Sequence, residues 1–304
     1  MRRFLGKTAL LIIILLCVDF IAGHVFSYIY SHAKGGMVFR DNFICNKLQA
    51  DVLLCGSSRC VHHYNPDIVS DSLGLSCYNS GQDGNGIILS YGRLLLIKRQ
   101  RLPKLVVYDI NPDYDLLSGD DNHKYLLWLK SYYDYDNIKD IFLSIDETER
   151  YKMKSQMYRY NSRILEILVD YFHPIIKPNE NGFVPHYGEM DKSKISKSKL
   201  FEKDCHYQFD PLKIAYLDKY IDEVNGNIVF TVSPIWYGLD SCKLQPVKEL
   251  CIRKGVKLLD FSNSPKYVHN DIFFKDGNHM NERGANEFTR DLIIELKKLG
   301  VMKN

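Results

Sequence analysis

A run of four apolar residues that stops abruptly at polar residues constrains the fold of this chain most. Residues 52–55 (VLLC) are followed at once by Gly56-Ser57-Ser58. A strand that is covered on both faces is a continuous run of apolar residues, whereas a strand with one solvent-exposed face alternates apolar and polar residues. The run therefore predicts a buried parallel strand whose carboxyl end carries hydroxyl groups.

The same pattern recurs along the chain. Residues 104–110, 227–234 and 254–261 are apolar runs that stop at polar or proline-containing loops, and stretches with helical spacing, such as 87–99 and 245–254, lie between them. Strands that alternate with helices predict an α/β fold with a doubly wound parallel sheet. Ligands of such sheets bind in the crevice outside the carboxyl ends of the strands.

Residues 115–225 depart from this alternation. They are rich in tyrosine and have helical spacing of apolar residues, apart from a polar interlude at 177–199. We interpret this region as a mainly helical insertion within a domain over 49–304, and its tyrosines as packing residues rather than a platform for sugar stacking.

The amino terminus predicts a membrane anchor. Residues 8–30 are mostly apolar and long enough to cross a bilayer as a helix. Three basic residues precede this stretch and three aromatic residues mark its far end (Arg2, Arg3 and Lys7; Phe26, Tyr28 and Tyr30). Basic residues favour the cytoplasmic side and aromatic residues the interface. We therefore expect a cytoplasmic tail over 1–7, a single-pass anchor in the cell inner membrane over 8–30, a polar connector over 31–48 and a periplasmic or otherwise extracytoplasmic domain.

A cleaved signal peptide is the competing interpretation of this end. Residues 9–18 have the length of a signal-peptide core, and residues 21–23 loosely resemble a cleavage site. Ile21 fits that site poorly and the apolar character continues beyond it, which favours the anchor. Asp19 is an ionisable group inside the apolar stretch, where it either meets a membrane partner or lies near a helix end.

Composition excludes some functions and leaves others open. The formal net charge is only +3, from 40 basic and 37 acidic residues, and no basic stripe is interleaved with aromatic residues, so we expect no nucleic-acid partner. None of the eight cysteines has zinc-ligand spacing, and we predict no metal and no organic cofactor. One cysteine lies in the apolar segment, and the other seven leave any disulfide pairing open.

The far end of the chain offers partners for the serines at residues 57 and 58. Asp276 and His279 are three residues apart, just before an amphipathic helix. A serine hydroxyl is a weak nucleophile until an imidazole takes its proton, and that imidazole needs a carboxylate on its other nitrogen. A D-x-x-H turn can supply both groups, although alone the motif is more often a cap or a solvent-facing turn.

The order of these motifs resembles that of the SGNH (GDSL-type) hydrolases. The chain has a strand followed by GSS, a glycine loop with an asparagine (YNSGQDG), a strand followed by Asn111, and a terminal D-x-x-H. The resemblance covers about residues 50–304. Within the family, the chain is similar in particular to membrane-anchored bacterial members. It implies a flavodoxin-like sheet and catalysis through an acyl-enzyme, with Ser58 as nucleophile, Asp276 as orienting acid and His279 as base.

The resemblance also implies an oxyanion hole. Its donors would be the backbone N–H groups of Ser58 and Gly84 and the side chain of Asn111, with Gly81 as the alternative glycine. The third motif departs from the family, because Asp109 replaces the usual glycine and Pro112 follows the asparagine.

Three more residues near the first motif need an interpretation. Ser57 replaces the family's aspartate, a departure that spares the nucleophile. Arg59 is expected either to meet an anionic substrate group or to form an ion pair. His62 and His63 could be confused with the base, and we assign them structural roles at the following helix.

These observations favour a membrane-anchored serine esterase. Its expected substrate is an extracytoplasmic polysaccharide that carries O-acyl groups, O-acetyl above all. One alternative is a polysaccharide O-acetyltransferase that uses the same triad with a membrane acyl-donor protein. The other is a non-catalytic envelope scaffold, since a fold does not fix a function.

Overall fold

The computed structural model describes residues 1–175, 181–191 and 205–300. The strands are β1 (Val52–Gly56), β2 (Cys77–Asn79), β3 (Leu105–Asp109), β4 (Ile228–Val232) and β5 (Lys257–Asp260). The α-helices are α1 (Arg2–Ser31), α2 (Gly36–Asn46), α3 (Ser58–His63), α4 (Pro66–Leu73), α5 (Ile87–Ile97), α6 (Pro112–Asp115), α7 (Asp136–Ile145), α8 (Glu149–Lys152), α9 (Ile164–Phe172), α10 (Pro211–Glu223), α11 (Gln245–Lys254) and α12 (Glu282–Leu299). Short 3-10 helices occupy several of the connections.

The strands form one parallel sheet in the order β2-β1-β3-β4-β5, which confirms the expected α/β class. Every residue of β1, β3 and β4 is buried, as their continuous apolar runs predict. Leu53 pairs with Tyr78 of β2 on one side and Val106 of β3 on the other. In this strand order the chain reverses its direction of winding between β1 and β3, so the ligand crevice lies at their carboxyl ends.

Helices cover the sheet with faces that the sequence spacing anticipates. In α12 the buried residues recur every three or four positions, as in Ala285, Phe288, Leu292 and Leu296. The side chain of Asn281 caps its first turn by accepting a hydrogen bond from the N–H of Gly284 at 2.9 Å. The helix therefore starts just after the D-x-x-H turn and fixes where that turn lies.

The chain divides into two compact units. Unit 1 comprises Met1–Lys47 and Asn122–Pro178, and unit 2 comprises Leu48–Asp121 and Asn179–Asn304. The expected insertion over 115–225 is therefore split, because α10 belongs to unit 2, where the ring of Tyr216 packs 5.1 Å from that of Tyr91 in α5. The second and larger unit contains the sheet.

The expected connector over 31–48 contains helix α2. Val38, Asp41, Ile44 and Cys45 are buried, and their spacing of three and four residues defines one helical face. The polar composition of this short stretch hides that face in the sequence, because one of its buried members is an aspartate. The hydroxyl of Tyr30 donates a hydrogen bond to Asp41, so Tyr30 is buried in unit 1 rather than part of an exposed aromatic belt.

Helix α1 has two different halves. Residues 2–18 are exposed, and the helix is long and apolar enough to cross a membrane, with a mean hydropathy of 2.6 over its most apolar window. The carboxylate of Asp19 accepts hydrogen bonds from the hydroxyl of Ser155 and the N–H groups of Gln156 and Met157 at 2.5, 2.8 and 3.1 Å. One turn later, a Cβ on Gly23 would lie only 2.2 Å from the Cβ of Gln156. From Asp19 onward, one face of α1 is thus part of the packed unit 1.

Candidate active site

Ser58 lies where β1 ends and α3 begins. β1 closes on Gly56, which has a φ of 143°, and a Cβ there would lie 2.7 Å from the carbonyl oxygen of Asp109 in β3. Only glycine fits this close approach of the two strands. Ser57 is the N-cap residue of α3. Ser58, the first residue of the helix, is half-buried at the carboxyl edge of the sheet.

The structure brings Ser58, His279 and Asp276 into one hydrogen-bonded chain. The Oγ of Ser58 lies 2.9 Å from Nε2 of His279, and Nδ1 of His279 lies 3.0 and 3.1 Å from the two carboxylate oxygens of Asp276. The N–H groups of Asn278 and His279 also donate to Asp276, at 2.8 and 2.9 Å. The D-x-x-H turn therefore folds back on its own carboxylate, which fixes the imidazole toward the serine.

The hydrogen-bond partners determine which atoms of Ser58, His279 and Asp276 carry protons. Because Nδ1 of His279 faces a carboxylate, its proton belongs on Nδ1, and Nε2 is left to accept the proton of Ser58. Partial burial acts to raise the pKa of Asp276. The hydrogen bond and charge of His279, together with the two backbone N–H donors, outweigh burial and lower this pKa to about 2. Asp276 is therefore ionised at neutral pH and can stabilise a protonated imidazole.

His63 holds the loop that carries His279. Its Nε2 accepts a hydrogen bond from the N–H of Met280 at 2.9 Å, and its Nδ1 lies 3.0 Å from the hydroxyl of Ser233, just beyond β4. The side chain is fully buried, and burial, followed by the nearby charges of His279 and Arg59, lowers its pKa well below the ordinary value. Neutral His63 thus connects α3, the end of β4 and the loop that carries His279.

Asn111 lies beside the nucleophile turn at the end of β3. Its side-chain N–H group donates to the hydroxyl of Ser57 at 3.0 Å, and its backbone N–H donates to Asp115 at 2.7 Å. Pro112 is the first residue of the short helix α6, and Asn111 caps that helix through the N–H of Asp113 at 3.3 Å. The unusual proline therefore fits a helix start, and the amide of Asn111 points to the residue before Ser58.

The loop after β2 carries both candidate glycines. The N–H of Gly81 donates to the side chain of Asn79 at 3.1 Å, so this donor is already engaged. The N–H of Gln82 donates to the carbonyl of Gly56 at 3.0 Å, which ties the loop to the end of β1. Gly84 has a φ of 65° and forms no hydrogen bond within the described chain. Of the two glycines, Gly84 is therefore the one whose N–H has no partner within the described chain.

Asp109, the residue that departs from the family pattern, is a buried structural hub. Its carboxylate accepts hydrogen bonds from the hydroxyl of Tyr64 and the N–H of Ser233, each at 2.7 Å, and lies 3.5 Å from Nε of Arg59. Burial raises the pKa of Asp109, and Arg59 opposes that effect. Arg59 also donates to the carbonyl of Ile110, so its contacts are those of an internal ion pair.

Two histidines lie beside His279, one of which the sequence analysis missed. The rings of His62 and His186 stack with their centroids 3.8 Å apart, and each meets the ring of His279 edge-on at 5.6 Å. His62 donates from Nδ1 to the carbonyl of Val184 at 2.6 Å and faces Asp83 at 3.4 Å. His186 falls in the polar part of the expected insertion, and no motif marks it there.

Two groups of side chains in the described chain have the composition of a metal site, and both have other partners. Cys205 and Cys242, near Asp240, are joined by a disulfide. The carboxylates of Asp146 and Glu149, near His123, each accept a hydrogen bond from Lys152 at 2.8 Å. The contacts of these groups therefore give no reason to add an ion.

Comparison with known proteins adds little to this geometry. No family model and no curated protein matches the chain. Among solved structures, the chain is similar to a protein assigned to the G-D-S-L lipolytic family from Desulfitobacterium hafniense DCB-2, with 9% sequence identity and a TM-score of 0.35. The match covers 79% of this chain and 96% of that chain. A similarity this low supports no functional conclusion, and the assignment of chemistry rests on the side chains at the end of β1.

Proposed function

We propose that the protein is a membrane-anchored serine esterase of the SGNH type that removes O-acyl groups from an extracytoplasmic polysaccharide. One observation carries the proposal. The Oγ of Ser58 lies 2.9 Å from Nε2 of His279, whose Nδ1 is held by Asp276. This is the arrangement that activates a serine hydroxyl toward an ester carbonyl.

The first half-reaction forms an acyl-enzyme. The Oγ of Ser58 attacks the carbonyl carbon while Nε2 of His279 takes the hydroxyl proton. The ester oxygen then leaves with that proton as a free sugar hydroxyl, and the acyl group stays on Ser58. Asp276 remains ionised and stabilises the protonated imidazole.

The second half-reaction releases the acyl group. Water gives a proton to His279 and attacks the acyl-enzyme, which frees a carboxylic acid and restores Ser58. In both halves we expect the oxyanion to accept hydrogen bonds from the N–H groups of Ser58 and Gly84 and from Asn111. Loss of one such donor typically costs about 100-fold or more in kcat.

We further propose that α1 anchors the protein in the inner membrane with the catalytic unit outside the cytoplasm. Support comes from the basic residues before the apolar half of α1, which favour a cytoplasmic amino terminus. A second support is the disulfide between Cys205 and Cys242, because such bonds persist in oxidising compartments. Acylated glycans are common material there, and we expect O-acetyl groups on one of them as the substrate.

The exposed apolar residues between Phe4 and Val18 would then face lipid. Beyond that point Asp19 binds the backbone N–H groups of Gln156 and Met157 in a polar turn of unit 1, and such irregular backbone is not tolerated when exposed to lipid. We therefore expect the face of α1 that packs on this turn to be shielded from lipid.

The test of the chemistry uses the full chain in detergent with p-nitrophenyl acetate and an acetylated oligosaccharide. We expect hydrolysis of both substrates. A fluorophosphonate ester should phosphonylate the Oγ of Ser58 with loss of fluoride, which adds the mass of the phosphonyl group. Ser58→Ala and His279→Ala should each lower kcat by about 10³-fold or more. Ser72→Ala and His173→Ala, which change exposed residues outside the site, are the matched controls.

The outcomes separate the candidate functions. Folded protein in which Ser58→Ala is as active as the parent would overturn the serine mechanism. Acetyl transfer to an added oligosaccharide that exceeds hydrolysis would identify a transferase instead of an esterase. Absence of both turnover and fluorophosphonate labelling would indicate the scaffold.

A further inference from the structure

His186 is a polar side chain at the site that the triad and the oxyanion hole leave unused. Its ring lies edge-on to that of His279, with 5.6 Å between centroids. The side chain is half-buried, and its ring nitrogens form no hydrogen bond within the described chain. A polar group in this position is able to bind a ligand.

The surroundings hold this imidazole in place. The ring of His62 stacks on it at 3.8 Å, and His62 is itself fixed by the carbonyl of Val184 and by Asp83. The backbone carbonyl of His186 accepts a hydrogen bond from the N–H of Glu282 at 2.7 Å, at the start of α12. The orientation of the ring is therefore established before a substrate arrives, which reduces the entropic cost of binding.

The charge state of the pair suits hydrogen bonding to a neutral ligand. Burial, followed by the nearby charges of His62 and His279, lowers the pKa of His186. Burial also acts to lower the pKa of His62, but the hydrogen bonds that His62 donates to Asp83 and to the carbonyl of Val184, together with the charges of Asp83 and Asp276, outweigh burial and raise that pKa. At neutral pH His186 is thus an uncharged imidazole, which offers one donor and one acceptor.

The chemistry of the site limits what His186 can meet. The departing oxygen must lie within hydrogen-bond reach of Nε2 of His279, because that nitrogen returns the proton. With the two rings 5.6 Å apart, the group next to the departing oxygen lies within reach of His186. In a sugar ester that group is a neighbouring ring hydroxyl.

We propose that His186 binds a hydroxyl group of the sugar next to the ester oxygen and thereby selects polyhydroxylated esters. This inference rests on the proposed esterase function and names the residue that recognises the alcohol part of the substrate. In a transfer reaction the same contact would orient the accepting sugar.

The test compares two substrates in the full chain. p-Nitrophenyl acetate has an acyl group but no neighbouring hydroxyl, whereas an acetylated oligosaccharide has both. We expect His186→Phe, which keeps an aromatic ring on His62, to lower kcat/KM for the oligosaccharide by about tenfold, the typical effect of one lost hydrogen bond. The same variant should leave kcat/KM for p-nitrophenyl acetate within about twofold of the parent.

Further variants separate binding from packing. His186→Asn, which retains a donor and an acceptor, should recover part of the oligosaccharide activity, and Tyr187→Ala, which changes the exposed neighbour, should behave as the parent. An equal fall on both substrates would overturn the inference and make His186 a support for His279. No change on either substrate would also overturn it. Full activity of Ser58→Ala would instead refute the esterase on which the inference rests.

Discussion

His63 takes no part in the proposed proton transfers, yet it determines where the base lies. A neutral ring accepts a hydrogen bond from Met280 and reaches Ser233 with its other nitrogen. If the ring gained a second proton, the Nε2 acceptor would be lost and a charge would be buried, which is costly without a partner. The position of His279 is thus coupled to the protonation of a second histidine.

His63 should therefore make the fold pH-dependent. Its pKa is lowered in the folded protein, so its contribution to stability is complete above the unfolded pKa of about 6.5 and is lost as pH falls below that value. Urea unfolding at pH 7.5 and 5.5 should show this loss in the parent and a smaller loss in His63→Gln. An equal loss in the two proteins would mean that other groups govern acid stability.

Asp276→Asn should separate orientation from charge. An amide can hold the ring but favours the wrong tautomer and cannot stabilise the imidazolium, so we expect kcat to fall on the order of 10⁴-fold. Because the pKa of Asp276 is about 2, this carboxylate should remain ionised throughout the acid limb of the parent's pH–rate profile. Asp71→Asn, at an exposed position of α4, is the control, and a loss below about tenfold would argue against the assigned role.

At the residue scale, the sequence is most informative where chemistry imposes a spacing. The proximity of Ser58, Asp276 and His279 could be predicted, because a triad needs those three side chains and the order of the motifs along the chain suggested it. His186 could not, since its neighbours carry no motif and only the folded chain brings it to His279. Asp109 looked like a departure from a motif, and its buried contacts with Tyr64 and Ser233 give it a structural reason.

At the scale of elements, α1 combines an exposed apolar half with a packed half. Its apolar character continues through both halves, so hydropathy alone cannot separate them. The separation depends on Asp19 and Gly23, which contact Gln156, a residue that is distant in the sequence. The strands, by contrast, follow from local runs of apolar residues, while α2 was missed because a buried aspartate interrupts its apolar face.

Gly23→Leu should destabilise unit 1, whereas Gly6→Leu should not. A Cβ at position 23 would overlap the Cβ of Gln156, while a Cβ at position 6 has no atom within 4 Å. Overpacking of this kind typically costs about 1–3 kcal/mol. Limited proteolysis of the full chain in detergent should show faster cleavage within 122–175 for the first variant only. Equal protection of the two variants would indicate that α1 is not packed there.

At the scale of the whole molecule, two units are formed from interleaved parts of the chain. Residues 1–47 join 122–178 in unit 1, and the sheet of unit 2 is assembled from the segments between and after them. The pattern along the chain indicated one domain over 49–304 with a mainly helical insertion. The association of two distant segments depends on tertiary contacts that leave no local pattern. The parallel direction of the strands was nevertheless predictable from their alternation with helices.

The disulfide between Cys205 and Cys242 should stabilise unit 2. It closes a loop with a sequence separation of 37 residues, for which loop entropy gives about 4 kcal/mol. The double variant Cys205→Ser, Cys242→Ser should lose on the order of 2–4 kcal/mol of unfolding free energy. Reductant should lower the stability of the parent and leave the variant unchanged. If reductant affects neither protein, the two thiols are unpaired in solution.

The packed half of α1 means that this helix cannot be exchanged as a whole for another apolar helix. The exposed half can drift in sequence as long as it stays apolar, but the half from Asp19 onward is constrained by shape and hydrogen bonding as strictly as any core helix. Exchange of residues 2–18 for a foreign apolar helix should preserve the fold, whereas exchange of the whole helix would remove a wall of unit 1. We therefore expect a shortened chain that begins just before Asp19 to lose the exposed apolar half of α1 and to keep the packed structure of unit 1.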